Sequence, residues 1–136
     1  MQLFDVAPTV LEAAGVAVPG DFEAKSLWGA LSDRPGYQPR DAVYAELARD
    51  HIQTGSEFIL MRRDRRWKIV LYLDDPSVGE LYDLEADPGE QHNLWHAETL
   101  RAMRDELSVT CLRWLARGSL NANRRAGRSP QQAMRI

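Results

Sequence analysis

Four short segments rich in aromatic and β-branched residues, followed by one long amphipathic segment, constrain the fold of this chain most. The long segment runs from Ala97 to Arg117, and its apolar residues recur at spacings of three and four, as on one face of a helix. The residues of this stripe are Leu100, Met103, Leu107, Cys111, Trp114 and Leu115. Gly118 is predicted to end the helix. A stripe this wide requires a partner, which the short segments can provide as one face of a sheet.

The short segments predict an antiparallel meander of strands. They are Ala42–Leu47, Phe58–Arg63, Trp67–Tyr72 and Glu80–Leu84. Asp64–Arg66 is short enough to join the second and third strands as a hairpin, and Asp74–Gly79 has the composition of a turn. Alternation places Trp67, Ile69 and Leu71 on one face of the third strand. We therefore expect an α+β fold, in which a small antiparallel sheet of about four strands packs against a long C-terminal helix.

The beginning of the chain predicts an N-terminal helical segment. Asp5–Ala14 is predicted to be a helix that its first residue caps, with Pro8 in the first turn and Gly15 as the left-handed residue at the end. A short helix capped by Ser26 is predicted to follow, and then a linker with two prolines and a glycine over residues 33–39. The predicted parts are residues 1–39 (helical segment and linker), 40–118 (α+β subdomain) and 119–136 (a basic, flexible tail).

The composition is that of an ordinary globular chain. Of 136 residues, 44% are apolar and 27% are charged, which excludes a wholly disordered protein. The longest strongly apolar run, Ile69–Leu73, is far shorter than the ~20 residues that span a bilayer. No signal peptide opens the chain, so we expect a cytoplasmic location and no membrane partner. Cys111 is the only cysteine, which excludes an internal disulfide.

Charge is unevenly distributed along the chain. The last 18 residues hold four arginines and no acid, whereas the rest of the chain holds 13 basic and 20 acidic residues. A net-acidic body argues against a nucleic-acid-binding domain, so we expect no nucleic acid as a partner. The alternative is binding through a basic hairpin (Arg62, Arg63, Arg65, Arg66) and the tail (Arg124, Arg125, Arg128, Arg135). We favour a solvated hairpin whose arginines pair with nearby acids.

Two further groupings have residue types that occur in chemical sites. His92 and His96 are four residues apart, a spacing that can place two metal ligands on one face of a helix. The turn at Asp87–Gly89 precedes them closely and no third ligand is evident, so ordinary turn and cap roles are favoured. Cys111 lies on the apolar stripe without a histidine nearby in sequence, which favours a small buried apolar side chain over a nucleophile. We expect no metal site and no catalytic residue in this chain.

The order of segments resembles the sulfatase family over about residues 3–117. Leu3–Val16 resembles that family's helix "D-x-x-P-T-x-L-x-x-A-G", and Ser26-Leu27 stands at the place of its "G-x-S-L" element. Met61–Val70 is similar to its "R-x-x-x-x-K-Y/I" hairpin. Glu80–Leu94 matches its signature "E-L-Y-D-L-x-x-D-P-x-E-x-x-N-L" almost residue for residue. In this signature we expect scaffold roles, with Asn93 bonding exposed backbone groups ahead of the helix.

The resemblance implies a piece of an enzyme rather than a whole one. Sulfatases have a fold like that of alkaline phosphatase, a formylglycine made from Cys or Ser in "C/S-x-P-x-R", and a calcium or similar divalent ion. No Cys or Ser here has proline two positions later. We therefore expect the C-terminal part of a sulfatase, truncated or excised, which is inactive by itself and has no cofactor of its own. Its parent would hydrolyse a sulfate ester, or a phosphate or phosphonate ester in related branches. The alternative function is that of a free-standing protein-interaction module with the same fold.

Partners and substrate contacts follow from the same resemblance. In the family, the helix at Asp5–Ala14 packs on a sheet that this chain lacks, so Val6, Val10 and Leu11 need another partner. We expect the missing catalytic half or a homo-oligomer to supply it. In the parent, the polar loop between the first two strands would lie near the mouth of the active site. Arg49 and His51 are its candidate substrate contacts, and the alternative is a solvated loop without such contacts.

Overall fold

The computed structural model describes residues 2–20, 22, 24–48 and 56–126, with side chains of the last helix as far as residue 120. These residues form two compact units, residues 1–44 and residues 45–136. The helices are α1 (Val6–Ala13), α2 (Trp28–Leu31) and α3 (Arg101–Ala126), and the strands are β1 (Val43–Ala48), β2 (Phe58–Arg63), β3 (Trp67–Tyr72) and β4 (Gly79–Asp83). Single 3₁₀ turns at Leu3–Asp5 and Glu98–Leu100 precede α1 and α3. The α+β class and the four-stranded sheet are confirmed, whereas the domain boundaries at residues 39 and 118 stay predictions.

The antiparallel sheet has the order β1-β2-β3-β4, and β2, β3 and β4 lie in the second unit. Strands β2 and β3 have the predicted limits, and β1 and β4 differ from the prediction by one residue at each end. The predicted hairpin joins β2 to β3. Its Asp64 carboxylate accepts the backbone N–H groups of Arg66 (2.8 Å) and Trp67 (2.6 Å), which fixes the turn.

One face of this sheet forms the core with α3. Leu60, Ile69 and Leu81 occupy neighbouring positions on three strands, and each is fully buried. Cys111 of α3 is equally buried and belongs to the same cluster, against which Trp67 packs. Each such aliphatic side chain contributes roughly 1.5–3 kcal/mol when it is removed from water. The predicted packing of the apolar helix stripe on one sheet face is therefore confirmed.

The predicted end of the long helix is wrong. α3 continues through Gly118 to Ala126, so the chain from Ser119 onwards is helical for two further turns. Gly118 does not adopt the left-handed conformation that would end a helix, and nothing lies within 4 Å of the place of its missing Cβ. A glycine inside a helix costs about 1 kcal/mol, which the alanine, leucine and arginine residues that follow can offset. No described helix is apolar over a stretch long enough to cross a bilayer.

The first unit is organised around Asp5, whose predicted role is corrected. Its carboxylate does not cap α1 but accepts the N–H groups of Gln2 (3.0 Å) and Lys25 (2.9 Å) and pairs with the Arg40 guanidinium. The 3₁₀ turn ahead of α1 moves Asp5 inside the helical segment, where its side chain faces the rest of the unit. A fully buried carboxylate needs such partners, so this network ties residues 2–40 together.

The other predictions for α1 are confirmed. Pro8 lies in the first turn of α1, and Gly15 follows the helix with a φ of 72°. The predicted cap of α2 is corrected: Leu27 rather than Ser26 is its N-cap residue, although the Ser26 hydroxyl accepts the Trp28 N–H (3.1 Å).

Candidate functional site

The segment after β4 closes the outer edge of the sheet through Asn93. Its side-chain carbonyl accepts the N–H groups of Leu81 (3.1 Å) and Trp95 (2.9 Å), and its amide donates to the Gly79 carbonyl (3.0 Å). The Leu94 N–H also donates to the Leu81 carbonyl (2.8 Å). Since an open strand edge exposes unpaired backbone groups, this segment acts as a short cover for β4. The scaffold role predicted for Asn93 is confirmed.

Trp95 is the second anchor of this segment. Its indole is 7% exposed and packs so tightly on Gly79 that a Cβ there would lie 2.5 Å from the ring. The indole N–H donates to the Ser77 carbonyl (3.3 Å), as a buried tryptophan requires. Arg104 of α3 covers the ring at 5.1 Å from its centre and donates to the Trp95 carbonyl (2.8 Å). These contacts fix the start of α3 relative to β4.

A groove of about 510 Å³ opens beside this anchor, between the end of β3 and one side of α3. Its apolar lining comes from Leu71, Leu73, Pro76, Trp95 and Leu112. Its polar lining includes His96, Arg104, Asp105 and Ser108. Arg104 also donates to the Asp105 carboxylate (3.2 Å), so the charges of this pair balance. The groove can hold an apolar group, but its lining offers no activated nucleophile.

Three of the four arginines of the basic hairpin pair with nearby acids, as the sequence predicts. Carboxylates lie beside three of its arginines, in the pairs Arg62–Asp64 (2.7 Å), Arg63–Glu90 (3.7 Å) and Arg66–Asp83 (2.9 Å). Hydrogen bonds from Arg66 lower the pKa of Asp83. Burial raises the pKa of Asp64, but the Trp67 N–H and the Arg62 guanidinium outweigh it and lower that pKa overall. The predicted pairing is confirmed for Arg62, Arg63 and Arg66, and the absence of nucleic-acid binding stays a prediction.

Cys111 is a packed side chain rather than a reactive one. It is fully buried, and removal from water raises the pKa of its thiol to about 11. A thiol protonated at neutral pH is a poor nucleophile. Since it is also followed by Leu112 and Arg113, it cannot be the precursor of the formylglycine that the sulfatase resemblance implies.

The two histidines have separate surroundings. The His92 N–H donates to the Asp87 carboxylate (2.8 Å) in the turn, as predicted, while His96 lines the groove. Within the described ranges, no three His, Cys, Asp or Glu side chains form a group that could hold a metal ion.

Arg49 and His51 lie outside the described residues, so their predicted substrate contacts stay a prediction. The groove was not predicted, although the sequence contains a signal for it. Arg104, Ser108 and Leu112 recur every four residues on α3, beside the core stripe. Their position beside Trp95 depends on the fold of the preceding signature, which helical spacing does not reveal.

Comparison with known proteins agrees with these observations. Residues 1–115 match the family described as N-sulphoglucosamine sulphohydrolase, C-terminal. Arylsulfatase K of Xenopus laevis is 34% identical over 99 residues, which cover 69% of this chain and 18% of that protein.

Two solved structures have the same fold. A 2-O GAG sulfatase matches with a TM-score of 0.70 and 28% identity, covering 85% of this chain and 24% of its own. A phosphonate monoester hydrolase of Agrobacterium radiobacter matches with a TM-score of 0.65 and 26% identity, covering 83% of this chain and 24% of its own. This chain thus spans about a fifth to a quarter of these relatives. It belongs to the family of N-sulphoglucosamine sulphohydrolase C-terminal domains, the C-terminal domains of sulfatases.

Proposed function

We propose that this chain is a non-catalytic C-terminal subdomain of a sulfuric ester hydrolase and that it hydrolyses no ester by itself. The observation that carries the proposal is the family match over residues 1–115 in a sequence without a "C/S-x-P-x-R" motif. The buried Cys111 thiol, with its pKa raised by desolvation, supports it further.

The role of the chain in the complete enzyme would be structural support. Asn93, Trp95 and Arg104 hold the sheet edge and the long helix in one arrangement, which is what a scaffold for neighbouring loops requires. Sulfate esters are the proposed substrate class of that enzyme because the relatives include arylsulfatase K and a 2-O GAG sulfatase. The alternative class is a phosphonate ester, which the likeness to a phosphonate monoester hydrolase supports.

The test is an assay of the purified 136-residue chain with an aryl sulfate, a phosphate ester and a phosphonate monoester, each with and without added calcium. We expect no rate above that of buffer, because a hydrolytic site of this kind needs a nucleophile and a metal held by several acids. Turnover that depends on a metal and disappears when one of this chain's own residues is substituted would falsify the proposal.

A second candidate function is a free-standing protein-interaction module. The observation in its favour is the exposed apolar side of α1 and the 3₁₀ turn before it, where Val10 and Leu3 are largely accessible. The genomic DNA upstream of Met1 distinguishes the two functions. An in-frame "C-x-P-x-R" there supports the hydrolase subdomain, whereas its absence supports the interaction module.

A further inference from the structure

The exposed side of α3 carries apolar residues that lead into the groove beside Trp95. Val109, Leu112 and Leu120 are 44%, 46% and 58% exposed, and Ala116 between them is also exposed. Spacings of three and four place these four residues along one side of the helix, and we call them the exposed stripe. Leu112 also lines the groove. The apolar surface is therefore continuous from the groove towards the end of α3.

Acidic side chains border this groove. Asp105 lines it, and its side chain is 61% exposed. Asp74 and Asp75 are exposed and directly precede Pro76, which also lines the groove. Arg104 balances one of these three charges, so an excess of negative charge remains at the border. An occupant with apolar side chains and a positive charge would complement both features.

The sequence that follows α3 has these properties. Residues 127–136 contain two arginines, Arg128 and Arg135, and no acid. The large apolar residues of this segment are Met134 and Ile136, one on either side of Arg135 in the sequence. In an extended chain, Met134 and Ile136 point to one side and Arg135 to the other.

We propose that residues 127–136 turn back along the exposed stripe and occupy the groove. Met134 and Ile136 enter its apolar part, and Arg135 meets the acidic border. The link through α3 keeps the segment close to the groove, which favours a contact that only a few residues make. Since the contact lies within this chain, it is independent of the proposed function.

The chain is long enough for this path. Leu112 lies 14 residues before Ala126, which corresponds to about 21 Å along a helix. Met134 lies eight residues after Ala126, and an extended chain of that length spans up to about 26 Å. Gly127 directly follows the helix, and glycine favours the turn that such a return needs.

The test is ¹⁵N relaxation of the backbone of the 136-residue chain, measured by NMR. We expect order parameters at Met134 and Ile136 close to the ~0.85 of a rigid backbone, whereas a free segment has values below ~0.6. A dilution series identifies the partner: order within one chain does not change with concentration, and order that is lost on dilution would show a contact with a second copy and overturn the proposal.

Leu112→Arg places a positive charge in the path of the basic segment. We expect the order parameters of Met134 and Ile136 to fall to those of a free segment. Leu47→Arg is the matched control, because Leu47 of β1 is 40% exposed and does not line the groove, so we expect no change. Circular dichroism shows whether each variant is folded.

Low order parameters at both residues in the unaltered chain would overturn the proposal and would leave the groove to another occupant, such as a small apolar ligand or a catalytic portion. Order that Leu112→Arg does not reduce, or that Leu47→Arg reduces equally, would overturn it as well.

A variant in the segment itself covers the case in which Leu112→Arg does not fold. Met134→Asp removes a proposed apolar contact, so we expect it to shift the amide signals of Ser108 and Leu112. Ala133→Asp changes the charge equally but points to the other side of an extended chain, so we expect smaller shifts. Equal shifts from both variants, or no shift from either, would refute the contact.

Discussion

The Asn93 side chain hydrogen-bonds backbone groups at the edge of β4 that have no further strand beside them. Its amide accepts from two backbone N–H groups and donates to one carbonyl, all within the segment from β4 to Trp95. A residue with both a donor and an acceptor is needed for this arrangement, which explains why an asparagine occupies the position. Removal of the side chain leaves three backbone groups to find other partners.

We expect Asn93→Ala to lower the free energy of unfolding by about 2–3 kcal/mol, because each lost hydrogen bond of this kind is worth about 1 kcal/mol. Urea unfolding followed by circular dichroism measures the change. His92→Ala is the control, since the neighbouring imidazole is 82% exposed and its loss should change stability by less than about 0.5 kcal/mol. Similar losses for both variants would contradict the role of Asn93.

Asp64 gives the hairpin a dependence on pH. Its hydrogen bonds lower its pKa in the folded chain despite the opposing effect of burial. The folded state therefore binds this proton less readily than the unfolded state does. The stabilisation is complete above the pKa of about 4 of an unfolded aspartate and is lost as the pH falls through the lower, folded pKa.

We expect Asp64→Asn to remove this contribution, which is about 1 kcal/mol or less for a partly exposed group. The measurement is the unfolding free energy at neutral pH and near pH 3, for the unaltered chain and the variant. The change in unfolding free energy between the two pH values should be smaller in the variant than in the unaltered chain. An equal difference in both proteins would show that Asp64 does not contribute.

Among the elements, α3 and β4 each contain a glycine. There is room for a side chain at the glycine of α3 but not at the glycine of β4. Gly118 lies inside α3 with open space around it, whereas Gly79 of β4 lies directly beneath the Trp95 ring. Alanine is favoured over glycine within a helix because it loses less chain entropy on folding. At Gly79, an added methyl group would collide with a ring that Ser77 and Arg104 hold in place.

We expect Gly118→Ala to raise the unfolding free energy by about 0.5–1 kcal/mol. Gly79→Ala should lower it by about 1–3 kcal/mol, as overpacking of a filled site does. Thermal unfolding of both variants checks the two signs in one experiment. A destabilising Gly118→Ala would contradict an unstrained helical position for Gly118.

At the scale of the whole molecule, the matched part of this chain covers about a fifth to a quarter of the relatives named above, so the properties of a complete enzyme are proposals for it. One such proposal is that Arg49 and His51 help to select the substrate of the complete enzyme. When the chain is joined to a catalytic portion, we expect Arg49→Ala and His51→Ala to reduce kcat/KM for some accepted esters and not for others. A selecting contact discriminates between transition states, whereas general damage lowers all rates together. Unchanged kcat/KM for every substrate would exclude a role in selection.

The sequence by itself determined the elements of the second unit and their order. Alternation located β2 and β3 to the residue, and the stripe on α3 identified the sheet face that it covers, because these patterns report burial along a single element. The turn at Asp64 and the amide of Asn93 were also predictable, since their hydrogen bonds involve residues close in the chain. The end of α3 was not predictable. A glycine ends a helix when its backbone adopts the left-handed conformation, and Gly118 does not adopt it.

Only the tertiary structure decided which side of the first helix faces outward. An apolar periodicity normally marks the buried side, yet the buried Asp5 bonds Lys25 and pairs with Arg40, and these contacts orient the helix. The groove beside Trp95 also depends on the tertiary structure, because β3 and α3 lie side by side only when the signature between them is folded. Both features depend on contacts between residues that lie many positions apart, and a local pattern such as the spacing of Arg104, Ser108 and Leu112 does not reveal which distant residues they meet.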